Sequence, residues 1–396
     1  MSRKYKICVA LADIHIGVKH ITAQNIKEQL KKNFFNVVEK FPVLDGIFIL
    51  GDTLHSPISL NSDYSSVYMW FANKIYKLAR KKGATVVWIL GTRAHDGQQL
   101  DNIKGFVDND DNVDFRIYET VEEITLWDDY KVLILPDVKF KQLEDVDKLF
   151  DEPNKYDMIL GHGLIDQMQY FMQESENMPT KTYVYDVQKL MNASKGPVLF
   201  GHIHKHMRIR NKFYYAGPFT LLERGTQTTT GFLVVGIYDK DRTKYKVEQY
   251  VNPDSVKYYE IVVSKEIMDQ YPIDDIVAGI DEIVSEAQVN DLITLRITRG
   301  DETESADKVL ILENRYRRDR RISIVKKIKS KKEEENERIQ QDKKNKYEYL
   351  MDQNQPMSSI LYNYYLSDVQ PTLPQKQHAI SISLEDFQRA LGETEV

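Results

Sequence analysis

One cysteine, Cys8, is the whole thiol content of this chain. That excludes an internal disulfide and a thiolate-built zinc site, and it fits a reducing cytoplasm. Cys8 itself reads as a small buried hydrophobe. No apolar run approaches the roughly 20 residues that a membrane-spanning helix needs. The basic start, Met1-Ser-Arg-Lys-Tyr-Lys, leads into the apolar stretch Ile7–Ala12, which is too short for a signal peptide and runs straight into Asp13. It reads as a first core strand. Internal repeats, a P-loop, a dinucleotide fingerprint and a His-Glu-x-x-His pair are all missing from the sequence.

Strong net charge is missing too. The balance is −6 over 396 residues, which taken alone argues against a nucleic-acid binder. The distribution matters more than the sum. Arg315–Lys332 gathers ten basic residues against one acid, Asp319, while acidic excess collects in Asp108–Asp114 and Asp274–Glu286. The basic block has three readings: a surface that tracks DNA phosphates through Arg315, Arg317, Arg318, Arg320, Arg321, Lys326 and Lys327, one face of a partner-binding segment, or a strand edge guarded by charge.

At this length the chain holds two or three domains. Residues 1–252 alternate apolar runs with helical spacing, the pattern of a layered α/β domain. Ile21–Phe41 and Ser62–Lys82 read as helices, the second with Val67, Trp70, Phe71, Ile75 and Leu78 on one face. Leu126–Asp137, Met207–Gly217 and Gly231–Val251 read as hairpins or edge strands, so mixed sheets flanked by helices are expected. Pro253 and Asp254 mark a boundary. After it, Val256–Val263, Ile267–Ala287, Asp291–Ile297, Ala306–Asn314 and Arg321–Ile328 form a βαβαβ run, a small α+β second domain over 253–330. The remainder, 331–396, opens with a dense mixed-charge run and continues with Met357, Ile360, Leu361, Tyr364 and Tyr365 at helical offsets, a helical tail with an apolar face.

Against these absences stands a concentration of histidine. Six of the nine lie in short segments that end apolar runs: Asp13-Ile-His15, Gly51-Asp52-Thr-Leu-His55, Gly91-Thr-Arg-Ala-His95-Asp96, Gly161-His162 and Gly201-His202-Ile-His204, closed by Tyr215-Ala-Gly217-Pro218. Each segment alone is a common turn. Their order, five of them directly after a strand-like run, is what carries the signal. Strand carboxyl ends are where ligand sites form in α/β sheets. Side chains two apart on an extended segment point the same way, so Asp13 with His15, and His202 with His204, are expected to share an ion. Carboxylate mixed with imidazole suits manganese, iron or zinc. Asp52 is the natural bridge between two ions about 4 Å apart, the spacing at which a phosphodiester is gripped and a water activated.

In this order the segments resemble the calcineurin-like metallophosphoesterases, whose pattern is D-x-H, G-D, G-N-H-[DE], G-H, G-H-x-H. Within that superfamily the chain is most similar to the SbcD-type nuclease subunit of double-strand-break repair, whose G-D-x-x-H-S is matched by Gly51–Ser56. The resemblance implies a layered metallophosphoesterase sandwich with a small capping domain, Asp13, His15 and His204 on one metal, His162 and His202 on the other, and Asp52 bridging. It implies manganese as the preferred ion, with magnesium, iron and zinc as other candidates. His95 would be the catalytic acid oriented by Asp96, with His55 also catalytic; on the residues alone, Asp96 reads equally as a turn or cap residue and His55 as a cap of the segment after it. It further implies DNA as substrate, an SbcC-like coiled-coil ATPase docked on the tail, a homodimer, no membrane association, and a cytoplasmic location, the host's if the gene is viral. The third segment departs from the pattern: two residues are inserted and Ala94 replaces the metal-binding asparagine, leaving Thr92 or His95 to fill the gap. That divergence hints at a virus-encoded version.

Other readings are a phosphomonoesterase or phosphoprotein phosphatase on the same fold, and a catalytically impaired DNA-binding subunit. His206 reads as flanking the site, and His20, His378, Arg93 and Arg224 as ordinary surface residues.

Overall fold

The apolar runs of the first half become neighbouring strands. In the computed structural model, which describes residues 5–59, 61–107, 113–137, 146, 148–167, 183–223, 228–289, 291–299 and 306–328, β1 (Tyr5–Leu11), β2 (Gly46–Leu50), β3 (Thr85–Ile89) and β4 (Phe115–Tyr118) lie parallel, side by side. The hairpin β13 (Gly231–Tyr238) and β14 (Tyr245–Val251) extends this sheet antiparallel beyond β1, giving the order β14-β13-β1-β2-β3-β4. A second sheet runs β11 (Met207–Ile209), β12 (Phe213–Tyr215), β10 (Val198–Gly201), β7 (Met158–His162), β6 (Tyr130–Leu135), β5 (Glu122–Leu126), parallel at its centre and antiparallel at both edges. The three expected hairpins are therefore the antiparallel margins of two mixed sheets. β8 (Leu164–Ile165) and β9 (Val184–Tyr185) form a small pair of their own.

Every residue of β2 and β3 is buried, because both faces of their sheet are covered, and this is why they read as unbroken apolar runs. On one face Ile47, Ile49, Val86 and Trp88 pack with Ile26 and Leu30 of α1 (Ala23–Leu30) and with Val67, Phe71, Ile75 and Leu78 of α2 (Asp63–Lys82). On the other, Ala10, Phe48, Leu50, Val87 and Ile89 meet Val132, Ile134, Leu160 and Leu199 of the second sheet. That sheet's far face, with Leu133, Ile159 and Phe200, is covered by α4 (Val187–Ala193). The result is helix, sheet, sheet, helix.

Local chemistry sets the element ends. Thr22 and Ser62 accept from the first-turn amides of α1 and α2, and Gly83 closes α2 in the left-handed conformation at φ 65°. α1 runs on through a π-helical turn, Lys31–Phe35, in which the buried Asn33 donates to Asn252 at 2.7 Å and Asp254 at 3.0 Å. A short helix, α3 (Asp101–Val107), follows the third site loop.

Further along come β15 (Tyr258–Val263), α5 (Lys265–Gln270), α6 (Ile273–Glu286), β16 (Leu292–Arg299), α7 (Ala306–Tyr316) and β17 (Ile322–Ile328), with sheet order β15-β16-β17. The single helix expected over Ile267–Ala287 is instead two. Tyr271 adopts the extended conformation demanded of a residue before proline, and Pro272 starts the second helix afresh. The chain divides into two compact units, Met1–Ile261 with Ile280–Thr294 and Asp319–Ser323, and Val262–Gly279 with Leu295–Arg318 and Ile324–Val396. The tail expected over 331–396 lies outside the described residues. Among the described residues no helix is long and apolar enough to cross a membrane.

Candidate metal centre

Because β1, β2, β3, β7 and β10 run parallel within their sheets, the loops that follow them open at strand carboxyl ends. Those loops are laced together. Amides of Asp13, His15 and Ile16 donate to carbonyls of Gly51, Asp52 and Thr53 at 3.2, 3.1 and 2.9 Å. The amide of His202 donates to both carboxylate oxygens of Asp13, at 3.0 and 3.2 Å.

The segments Asp13–His15 and His202–His204 are not extended strands, contrary to the expectation from their spacing. Asp13, His15 and Asp52 sit at φ 48–49° and His202 at φ 98°. Left-handed turns, rather than alternation along a strand, bring these side chains together. Such conformations cost non-glycine residues on the order of 1–3 kcal/mol each, and they persist where surrounding structure fixes them. Gly51 serves the opposite need. A Cβ there would lie 2.4 Å from His162 Nδ1 and 2.6 Å from Gly91 Cα, so only glycine allows the second and third loops to approach.

All six expected ligands converge in two groups that share Asp52. Asp13, His15, Asp52 and His204 present one ligand atom each within 4.8 Å of one another, and so do Asp52, His162 and His202. A divalent cation with bonds of about 2.0–2.3 Å sets neighbouring donors roughly 3 Å apart. His15 Nε2 and His204 Nε2 are 3.0 Å apart, Asp52 Oδ2 and His162 Nε2 3.3 Å, and His15 Nε2 and Asp52 Oδ2 3.8 Å. Oxygen and nitrogen donors at this spacing fit hard or borderline cations. His15 Nδ1 is buried without a hydrogen-bond partner among the described residues.

Burial and mutual charge divide the protons. Burial pushes the Asp13 carboxyl up to about 6, against the pull of His162 and His204. Burial would raise Asp52 as well, but His162, His15 and His95 hold it below the usual carboxylate range. His162 shows the reverse balance: burial disfavours its charge, yet Asp52 and Asp13 push it up to about 10. Burial and the charge of His162 bring His202 down to about 3, and burial, then His204, lowers His15.

Outer partners aim the rings. His162 Nδ1 donates to the Leu50 carbonyl at 2.7 Å, which turns Nε2 toward Asp52. His204 Nδ1 pairs with Glu223 Oε1 at 2.7 Å; burial disfavours the charged imidazole, but this bond together with the charges of Asp13, Glu223 and Asp52 raises its pKa. Glu223 had no signal in the sequence. It lies 19 residues beyond His204, and only the general need of a ligating imidazole for a second acceptor pointed to such a residue.

The third loop holds the main surprise. Thr92–Gly97 closes as a helical turn, with His95 and Asp96 amides donating to Thr92 O at 2.8 and 3.0 Å. Asp96, expected to orient His95, faces away from it. Its buried carboxylate accepts from the amides of Asp52 (3.1 Å), Leu54 (3.1 Å) and Gly91 (2.9 Å). Burial, then Asp52, raises its carboxyl to about 6. His95 is aimed instead by the His55 carbonyl, 2.5 Å from Nδ1, which leaves Nε2 at 3.9 Å from Asp52 Oδ2. One ring nitrogen each from His15, His55 and His95 forms a third group within 4.8 Å of one another. Burial and the neighbouring His95 lower the pKa of His55.

Residues expected at the margins fall there. His206 binds the Tyr215 carbonyl at 3.1 Å and His20 the Leu221 carbonyl at 3.3 Å, and Arg93 is exposed. Of the basic block, Arg315, Arg317, Arg318 and Arg320 are exposed. Arg321 is committed inward, with Asp319 at 2.8 Å and the Ala287 carbonyl at 2.7 Å, and Lys326 pairs with Glu313 at 2.7 Å. Arg224, His378 and the side chain of Lys327 lie outside the described residues.

No protein-family model matches the chain, and no curated protein matches it. Among solved structures, one crystal structure aligns over 62% of this chain and 99% of its own, at 12% identity and TM-score 0.36. The glutamine-dependent NAD+ synthetase of Acinetobacter baumannii in complex with adenosine diphosphate aligns over 100% of this chain and 77% of its own, at 11% identity and TM-score 0.35. Likenesses this distant carry no argument about what the site does.

Proposed function

We propose that this chain is a metallophosphoesterase of the SbcD type, a divalent-metal-dependent nuclease that hydrolyses DNA phosphodiester bonds. The observation that supports it is the sharing of one carboxylate: Asp52 belongs to both donor groups, Asp13–His15–Asp52–His204 and Asp52–His162–His202. Two cations bound there supply Lewis-acid polarisation of a phosphodiester and a nucleophile at neutral pH. The mixed oxygen and nitrogen donors suit manganese, iron or zinc, and manganese is the ion that the resemblance favours.

The remaining work falls to the chain's own groups. His95 donates through Nδ1 to the His55 carbonyl, which fixes Nε2 on the Asp52 side as the acid for the leaving oxygen. His55 stands beside it, the two ring centroids 5.8 Å apart. The exposed Arg315, Arg317, Arg318 and Arg320 offer sequence-independent contacts to phosphate. The reading carries with it an SbcC-like ATPase bound through 331–396, a homodimer, and the cytoplasm, a host's if the gene is viral, as the place of action.

Degradation of linear duplex and of single-stranded DNA with manganese tests the proposal. Asp52→Ala is expected to abolish cleavage, and His95→Ala to slow it by about a hundredfold or more. Cleavage by both variants at the wild-type rate would overturn the assignment. A strong preference for a chromogenic phosphomonoester over a phosphodiester would move the site to a phosphatase.

A further inference from the structure

The second donor group has three ligand atoms, from Asp52, His162 and His202, and the sequence leaves two candidates for a fourth. His95 is one. Its Nδ1 is tied to the His55 carbonyl, and its Nε2 groups with His15 and His55 rather than with His162 and His202. Thr92 is the other. Its Oγ1 lies 3.2 Å from Asp52 Oδ2, 3.4 Å from His162 Nε2 and 3.5 Å from His202 Nδ1, so one oxygen stands within neighbouring-donor distance of all three ligand atoms.

Resting on the two-cation reading above, we infer that the Thr92 hydroxyl is the fourth protein donor of the second cation site. A hydroxyl has one proton and two lone pairs, so it can donate to Asp52 and still face a cation with an oxygen lone pair. Its position is set by the backbone, because the Thr92 amide donates to Asp52 Oδ1 at 2.6 Å and the turn that follows closes on the Thr92 carbonyl. The β-branch restricts χ1 and holds the oxygen toward the group. The departure at Thr92–Ala94 therefore does not cost the second site its fourth donor; a neutral, hard oxygen takes that place. The first group contains two carboxylates and the second only the shared Asp52, so the two sites should load unequally, the Thr92 site being the weaker.

The experiment uses the full chain stripped of metal by chelator, titrated with manganese chloride alone and followed by calorimetry and by electron paramagnetic resonance. Wild type is expected to take up two ions in two classes and to give the signal of a coupled pair. Thr92→Val replaces the hydroxyl with a methyl of the same shape and keeps the backbone bond to Asp52. It is expected to weaken the second class by about tenfold or more and to lose the coupled signal. Thr92→Ser, which keeps the oxygen, should retain both. Thr92→Cys exchanges a hard donor for a soft one, so the second site should favour cadmium over manganese relative to wild type. Two manganese ions held by Thr92→Val at wild-type affinity would overturn the inference. So would Thr92→Ser as weak as Thr92→Val, or an unchanged cadmium-to-manganese preference in Thr92→Cys, the variant that decides the matter should Thr92→Val fail to fold. Wild type binding fewer than two ions would remove the two-cation reading itself, a failure visible before any variant is made.

Discussion

Glu223 Oε1 lies 2.7 Å from His204 Nδ1, and His204 Nε2 in turn faces His15 Nε2 at 3.0 Å. The carboxylate thus selects the imidazole tautomer whose lone pair points into the first donor group. Removing such a partner typically weakens a metal site by about 10- to 100-fold. Glu223→Ala is expected to lower manganese affinity at the first site by that factor while leaving the thermal melt of the metal-free protein nearly unchanged, because the side chain is largely exposed. Unchanged affinity in a titration would remove Glu223 from the site.

Asp96 makes a different prediction. Its carboxylate holds three backbone amides of two loops, and each buried amide left without an acceptor costs about 1–3 kcal/mol. Asp96→Ala should therefore destabilise the fold by roughly 3 kcal/mol or more in a denaturant melt, with Asp96→Asn less damaging. Were Asp96 only the orienter of His95, stability would hold and the rate alone would fall.

Cation binding should release protons. His162 carries a proton at neutral pH, because Asp52 and Asp13 push it up to about 10 against the effect of burial. A ligating imidazole must be neutral, so manganese displaces that proton and affinity rises with pH. The sign for the metal-free fold is the opposite: the stabilisation from charged His162 is full below the ordinary histidine range near 6.5 and is lost as pH rises toward 10. Calorimetry at neutral pH in two buffers of different ionisation enthalpy reads the protons directly, and equal heats in both would contradict this account.

Within the basic block, Arg321 separates from its neighbours. It spans Asp319 and the carbonyls of Val284 and Ala287 at the end of α6, so Arg321→Ala should cost roughly 1–3 kcal/mol of stability. Joint replacement of the exposed Arg317, Arg318 and Arg320 by alanine should leave stability alone. It should weaken DNA binding and flatten its salt dependence by about 0.9 in log–log slope for each phosphate no longer neutralised. A salt slope equal to wild type would take these arginines out of the interface.

The strands after which the ligands fall were legible because burial on both faces makes Gly46–Leu50 and Thr85–Ile89 continuous apolar runs. The six candidate donors could be picked out because each follows or ends such a run. What the sequence hid was rotation about the backbone. Asp13, His15, Asp52 and His202 occupy left-handed conformations, to which aspartate and histidine are only weakly inclined, and the turn over Thr92–Gly97 sets the Asp96 carboxylate on backbone amides rather than on the partner that the resemblance implied. Glu223 was invisible for a related reason, since its pairing depends on how the chain after β12 returns past His204. The helix break at Pro272 was readable in principle, but the apolar periodicity on either side of it masked the proline.

Donors on the loops after β1, β2 and β3 come from one sheet, and those of His162, His202 and His204 from the other. Ions seated among them would act as rivets between two slabs otherwise joined by the apolar layer of Phe48, Leu50, Leu160 and Leu199. Wear in that layer should then be felt at the rivets: trimming Phe48 or Leu160, neither of them a donor, would let the slabs shift and loosen the grip on metal. Loading the metal would stiffen the whole sandwich in return.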